Sequence, residues 1–136
     1  MERYSVYLAL HGVLALTVSM VCGRWFSKAI ITQGNEVAWR VVHSGGSMGG
    51  IMLIAFSSLI PLVQLSNTLI SFFVYAIITG TWLFILAMIT AAVTGERGLI
   101  NSGARSNKFV FIGYMVASVC TLIGCGLLIT GLVLAL

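Results

Sequence analysis

Charge is what this sequence has least of: 7% of its 136 residues are charged, and the single proline is Pro61. Soluble domains carry about 25% charged residues, so a water-facing globule is excluded. Apart from Arg24 at the very end of the first, the long apolar runs contain no charged residue, which removes the carriers that proton relays and voltage sensors need. The runs are apolar on all sides rather than alternating, and that excludes a closed β-barrel. The three cysteines, Cys22, Cys120 and Cys125, form no CxxC pair and no even-numbered framework. They read as small buried apolar residues.

What is present is hydrophobic, 60% of the chain, and it divides into lengths that fit a bilayer. A helix needs about 20 apolar residues to cross a hydrocarbon core of about 30 Å. Four such runs occur, at residues 4–25, 41–65, 69–94 and 109–136. The expected fold is all-α: an integral membrane bundle of four transmembrane helices forming a single domain over residues 1–136. A signal peptide is a poor description of the first run, which is long, contains His11 and lacks an Ala-x-Ala cleavage site.

The basic residues report orientation. Arg24, Lys28 and Arg40 lie in one connection, Arg97, Arg105 and Lys108 in another, and the opposite side carries only Arg3. The positive-inside rule makes loops 24–40 and 95–108 cytoplasmic and turns both termini outward, in an inner (plasma) membrane. The formal charge of +4 is thereby explained without a nucleic-acid partner, for which no aqueous face is available. Ser66–Thr68 is expected to be a tight outer turn. No internal repeat marks an inverted-repeat transporter.

Histidine carries the remaining chemistry. His43 stands just inside the second run and is followed by Ser44-Gly45-Gly46-Ser47-Met48-Gly49-Gly50. On a helix, Gly46, Ser47 and Gly50 follow His43 at i+3, i+4 and i+7, so one face presents an imidazole above a strip with almost no side chains. Two uses of that strip are open. The pairs Gly45/Gly49 and Gly46/Gly50 are GxxxG spacings that let membrane helices approach closely. Alternatively, the imidazole binds a haem iron while the glycines make room for the macrocycle, with Arg40, Arg97 and Arg105 available to its propionates.

His11 lies about 20 Å deep and His43 only about 5 Å past Arg40, a separation that argues against two histidines on one iron within a subunit. His11 is read as hydrogen-bonded to a neighbouring helix. His43 alone leaves the sixth position of the iron open, which favours substrate chemistry. Trp25, Tyr4 and Tyr7 are read as interfacial anchors. Tyr75, inside the third run, is a candidate for substrate contact because a buried hydroxyl needs a partner.

His11-Gly12, Trp39 four residues ahead of His43-Ser44-Gly45, and Arg97-Gly98-Leu99 occur in an order and spacing that resemble the styrene oxide isomerases. The resemblance implies a small four-helix membrane protein, a homotrimer with haem b at the subunit interfaces, and His43 as axial ligand. It also implies a redox-neutral reaction in which ferric haem acts as a Lewis acid on an epoxide oxygen, the C–O bond opens, and a hydride shift yields an aldehyde. The sequence departs from the family at two positions. The family has an asparagine where this chain has Gly49, and a tyrosine where it has Met88. Met88 and Tyr75 are therefore the third-span positions to examine for substrate contact.

A less polar site suits a larger, more apolar molecule. The reading that results is a haem b isomerase of a lipophilic epoxide, or of an alkene whose double bond is moved. The alternative is a non-catalytic haem or electron-transfer protein with a second axial ligand from His11 of a neighbouring subunit, Met48 or Met52. A third possibility is a membrane subunit whose glycines serve helix association only.

Overall fold

The computed structural model describes residues 2–136, and four long helices account for most of them: α1 (Glu2–Ile31), α2 (Glu36–Leu59), α3 (Asn67–Thr94) and α4 (Arg105–Val133). Each is long and apolar enough to cross a membrane, and no strand occurs among the described residues. The chain is an all-helical, multi-pass membrane protein.

The helices overrun the expected spans. Arg24 and Lys28 belong to α1, and Trp39 and Arg40 to α2, so the first connection is only residues 32–35 rather than 24–40. The charges mark where the hydrocarbon ends, and a helix is free to continue into the headgroup layer. Trp25 stacks on Trp39 across this extension, with ring centroids 5.8 Å apart.

At the other end, Pro61 stops α2. It occupies the start of a 3-10 turn, Ile60–Leu62, where, lacking an N–H, it cannot donate to the carbonyl four residues back and carry the α-helix further. Residues 63–66 then make the connection, and Ser66 caps α3 by accepting a hydrogen bond from the Leu69 N–H. Thr68 lies inside α3, so the turn sits a little earlier than the expected Ser66–Thr68. Gly95 ends α3 in the left-handed conformation, φ +77°, which glycine adopts without steric cost.

The helices pack as two hairpins. α1 and α2 form one, α3 and α4 the other, and they meet chiefly through α3 against α2 and α1. α3 is the central element: 50% of its most apolar stretch is buried, against 22–28% in the other three. α4 rests on α3 alone for nearly all its contacts, which leaves a gap between α2 and α4 floored by α3. Leu8, Leu53, Ile70, Val74 and Ile77 fill one end of the core; Ala15, Val42, Ile85 and Met88 fill the other.

The last connection, residues 95–104, is held by Asn107. Its side chain accepts from the Gly98 N–H at 2.9 Å and donates to the carbonyls of Ile100 and Ser102, both at 2.8 Å. Gly98 has φ +61° and lies so close to α4 that a Cβ would stand 2.9 Å from the Phe111 nitrogen. The Arg97-Gly98-Leu99 segment therefore has a structural explanation in this contact.

Candidate active site

His43 projects from α2 onto α1. Its Nδ1 lies 2.9 Å from the Ser19 carbonyl oxygen. A carbonyl only accepts, so Nδ1 carries the proton and Nε2 keeps its lone pair free, the arrangement in which a metal-binding histidine is oriented by its other nitrogen. Ser19 returns the bond: its hydroxyl donates to the His43 carbonyl and lies 2.8 Å from the Ser47 hydroxyl. The ring is seated over Gly23, where a Cβ would stand 3.1 Å from Nδ1, and it stacks on Phe26 at 6.4 Å.

The small strip after His43 has two faces with different neighbours. Gly46 and Gly50 are buried against α1: a Cβ on Gly50 would stand 2.8 Å from the Gly12 carbonyl oxygen, and one on Gly46 would stand 3.1 Å from the Ser19 Cβ. Ser47 is engaged with Ser19 and with the His43 carbonyl. Gly46, Ser47 and Gly50 were expected to make room for a macrocycle. Helix α1 already occupies that face, so this expectation is corrected: the strip is helix-packing surface.

Gly45 and Gly49 face the other way. With Met52 they form one wall of a cleft of about 440 Å³, completed by Thr81, Ile85 and Met88 of α3 and by Ser118 and Thr121 of α4. Its lining is almost wholly apolar, and its size lies in the range of small-molecule sites. Gly49 and Met88, the positions at which the resemblance implies an asparagine and a tyrosine, both line it. Met88 also lines a more polar recess of about 470 Å³ that contains Arg97, Glu96, Asn35 and Tyr114. Its side chain stands between the two spaces.

Around α2, Gly45, Gly49 and Met52 lie about 200°, 240° and 180° from His43, at 100° per residue. The imidazole and the cleft are thus on opposite sides of the helix, one toward α1 and one toward α3 and α4. The arginines divide in the same way. Arg40, exposed and one turn before His43, lies on the imidazole's side; Arg97, also exposed, opens on the cleft's side.

The other sequence candidates fall elsewhere. His11 accepts a hydrogen bond at its Nδ1 from the Trp82 indole N–H at 3.0 Å, which agrees with its reading as a histidine bonded between helices. Its proton is then on Nε2, the opposite tautomer to His43. Eight residues of α1 separate His11 from Ser19, about 12 Å along the axis, and that keeps the two histidines apart. Tyr75 is 57% exposed and meets Tyr7 edge-on at 6.3 Å. It does not line the cleft of its own subunit, and the premise that its hydroxyl is buried is corrected: its position on α3 faces outward.

Ser19, Gly23 and Phe26 escaped the sequence reading, as did Ser118 and Thr121. A signal for the first two existed. Ala15, Ser19 and Gly23 repeat at four-residue spacing, the same small-residue pattern recognised in α2.

Among the described residues, no three His, Cys, Asp or Glu side chains converge on one point. A metal held here through His43 must therefore bring most of its own ligands, as a porphyrin does. The residues present fit that group. His43 has a fixed tautomer with Nε2 unengaged, and it is flanked by an arginine one turn away.

A multi-pass helical membrane protein with one oriented histidine and an apolar intramembrane cleft is the class that fold and site define. The family model of styrene oxide isomerase matches residues 4–133, and the chain belongs to that family. Membership carries an isomerase-type function. No curated protein matches the chain closely enough to add a relative.

Proposed function

We propose that the protein is a membrane haem b isomerase that converts a lipophilic epoxide to a carbonyl compound, working as a homotrimer. The observation that carries this reading is the placement of His43 and the cleft on opposite sides of α2. A group bound at His43 cannot face the cleft of its own subunit, but it can face that of the next. Repeated head to tail, such a contact closes into a ring. Arg40 of one subunit and Arg97 of the next would then flank one site, each able to pair with a propionate.

Bound ferric haem b would supply a Lewis acid to the epoxide oxygen. The chain's own residues do the rest. His43 would hold the iron through Nε2, and the Ser19 carbonyl keeps the ring from turning. The cleft fixes the substrate and excludes water, so that the carbon left positive when the C–O bond opens is not hydrated. The hydride on the neighbouring carbon moves to it with its electron pair, and an oxygen electron pair closes the C=O bond. Atoms and electrons balance with no oxidant, reductant or added water.

The test is the absorption spectrum of detergent-purified protein, beside the His43→Ala variant. The expected result is a high-spin ferric Soret band that disappears, with activity, in His43→Ala. Wild-type protein that is colourless and takes up no added haemin, or a variant that keeps its haem, overturns the reading. A low-spin spectrum marks a six-coordinate electron-transfer site instead.

A further inference from the structure

We propose that the hydroxyls of Ser118 and Thr121 on α4 are the donors that orient the substrate oxygen in the cleft. This rests on the isomerase reading above. Three side chains lining the cleft carry hydroxyls: Thr81, Ser118 and Thr121. Thr81 is buried and already donates to the Ile77 carbonyl at 2.9 Å. Gly49 and Met88 bring no donor, and the remaining wall is glycine, aliphatic, aromatic or thioether. That leaves the α4 pair.

Ser118 and Thr121 are three residues apart, hence neighbours on one face of α4, with Cβ atoms about 5–6 Å apart. Neither makes a hydrogen bond among the described residues. Most other hydroxyls on these helices donate to a carbonyl three or four residues back, as Thr90, Thr94 and Thr130 do. The Thr121 Oγ1 instead turns toward α3, 2.9 Å from where a Cβ on Gly80 would stand. The absence of a side chain at Gly80 is what makes that rotamer possible.

In a cleft this apolar, a substrate oxygen separated from water gains more from a donor than it would in solution. Donors placed where negative charge develops act on the transition state rather than on binding alone. The ligand class that fits is an epoxide, or its carbonyl product, with an apolar remainder against Gly45 and Gly49 and its oxygen toward α4. The hydroxyls keep their protons throughout. They share them with the oxygen as the C–O electron pair moves onto it, and they take no part in the hydride shift.

The test uses haem-loaded protein with styrene oxide as substrate and acetophenone as an unreactive carbonyl probe. For the Ser118→Ala/Thr121→Val double variant, kcat/KM is expected to fall about tenfold, the share of two neutral hydrogen bonds. Haem content and the Soret band should stay as in wild type, and Thr121→Ser alone should retain most of the activity. By infrared difference spectroscopy, the carbonyl stretch of bound acetophenone should lie below its hydrocarbon value in wild type and return toward it in the double variant.

An unchanged stretch or unchanged kcat/KM in haem-loaded double variant overturns this proposal and leaves the isomerase reading standing. Failure of wild type to bind acetophenone overturns it as well. Wild type without haem overturns the isomerase reading instead, and the infrared shift still judges the donors.

Discussion

The seven residues from Ser44 to Gly50 carry two pairs of glycines at the same spacing, and the two pairs do opposite things. Gly46 and Gly50 meet α1, where Gly12, Ala15 and Ser19 are equally small, and the backbones close until the Gly50 Cβ position is 2.8 Å from a carbonyl oxygen. Gly45 and Gly49 look toward Met88 and Thr81 of α3, with α4 standing back, and the same lack of side chains leaves a cleft. What lies opposite decides whether a small-residue pair glues two helices or hollows out a site. Because both pairs sit on one helix, the packed face fixes how the open face is presented.

The largest effect expected from breaking this contrast is at the packed pair. Gly50→Val puts a branched side chain against the Leu16 Cγ and the Gly12 carbonyl, at 2.7 and 2.8 Å from the Cβ alone, and backbone cannot step aside. Destabilisation of about 3 kcal/mol or more is expected, read as loss of folded protein from detergent extracts or a lower thermal midpoint. A variant as stable as wild type would show that the α1–α2 contact is looser than described.

Ser19→Ala comes next, at about 1 kcal/mol. It removes the hydroxyl that reaches both the His43 carbonyl and the Ser47 hydroxyl across the helix pair, and leaves the Ser19 carbonyl in place for the imidazole. Bonds of this kind average about 0.6 kcal/mol in membranes, with some reaching about 1.7. The expected signature is a modest fall in thermal midpoint with His43 still able to take haem, whereas loss of haem would make the hydroxyl part of the ligand's support.

Much of this was legible in the sequence, and the reasons differ by element. Four helices follow from run length against bilayer thickness, and that arithmetic is insensitive to detail. The ends of α1 and α2 were not legible, because charge reports where lipid stops and not where hydrogen bonding stops. His43 stood out because an imidazole beside a run of glycines is unusual. Which glycines were free did not stand out, because the sequence shows spacing around α2 and not which neighbour occupies each side.

Tyr75 was assigned to the substrate on the premise that it is buried. Being inside a span is not being inside a bundle, and α3 turns that position outward. Ser118 and Thr121 had no local signal at all: a hydroxyl in a membrane helix usually bonds its own backbone, and only the position of α4 against Gly80 sets this pair apart.

At the open pair, function should change more than stability. A Cβ on Gly49 meets only the Thr81 methyl, at 3.2 Å, so Gly49→Asn should fold within about 1 kcal/mol of wild type. Combined with Met88→Tyr it returns two polar groups to the cleft and narrows it. The ratio of kcat/KM for styrene oxide to that for a bulkier aliphatic epoxide should rise about tenfold, an amount that pocket shape and one or two donors can supply. An unchanged ratio would mean that substrate does not sit between these positions.

The smallest and most discriminating change is Gly45→Ala. Its Cβ would stand 3.0 Å from the Met88 sulfur and 3.3 Å from its methyl carbon. Both belong to the far end of a flexible side chain that can swing away cheaply. Replacing glycine in a helix interior is worth about 0.5–1 kcal/mol in the opposite direction. The two nearly cancel, and the thermal midpoint should move by no more than a degree or two, where Gly50→Val moves it far.

Displaced from Gly45, the Met88 thioether has the cleft on one side and the Arg97 recess on the other, since it lines both. If it enters the cleft, large epoxides lose rate while small ones keep it. If it enters the recess, rates on both are retained. Chain-length profiles of kcat/KM for wild type and Gly45→Ala therefore report which way Met88 moves, at almost no cost in stability. A large loss of stability from this substitution would mean that the second glycine pair is packed as tightly as the first.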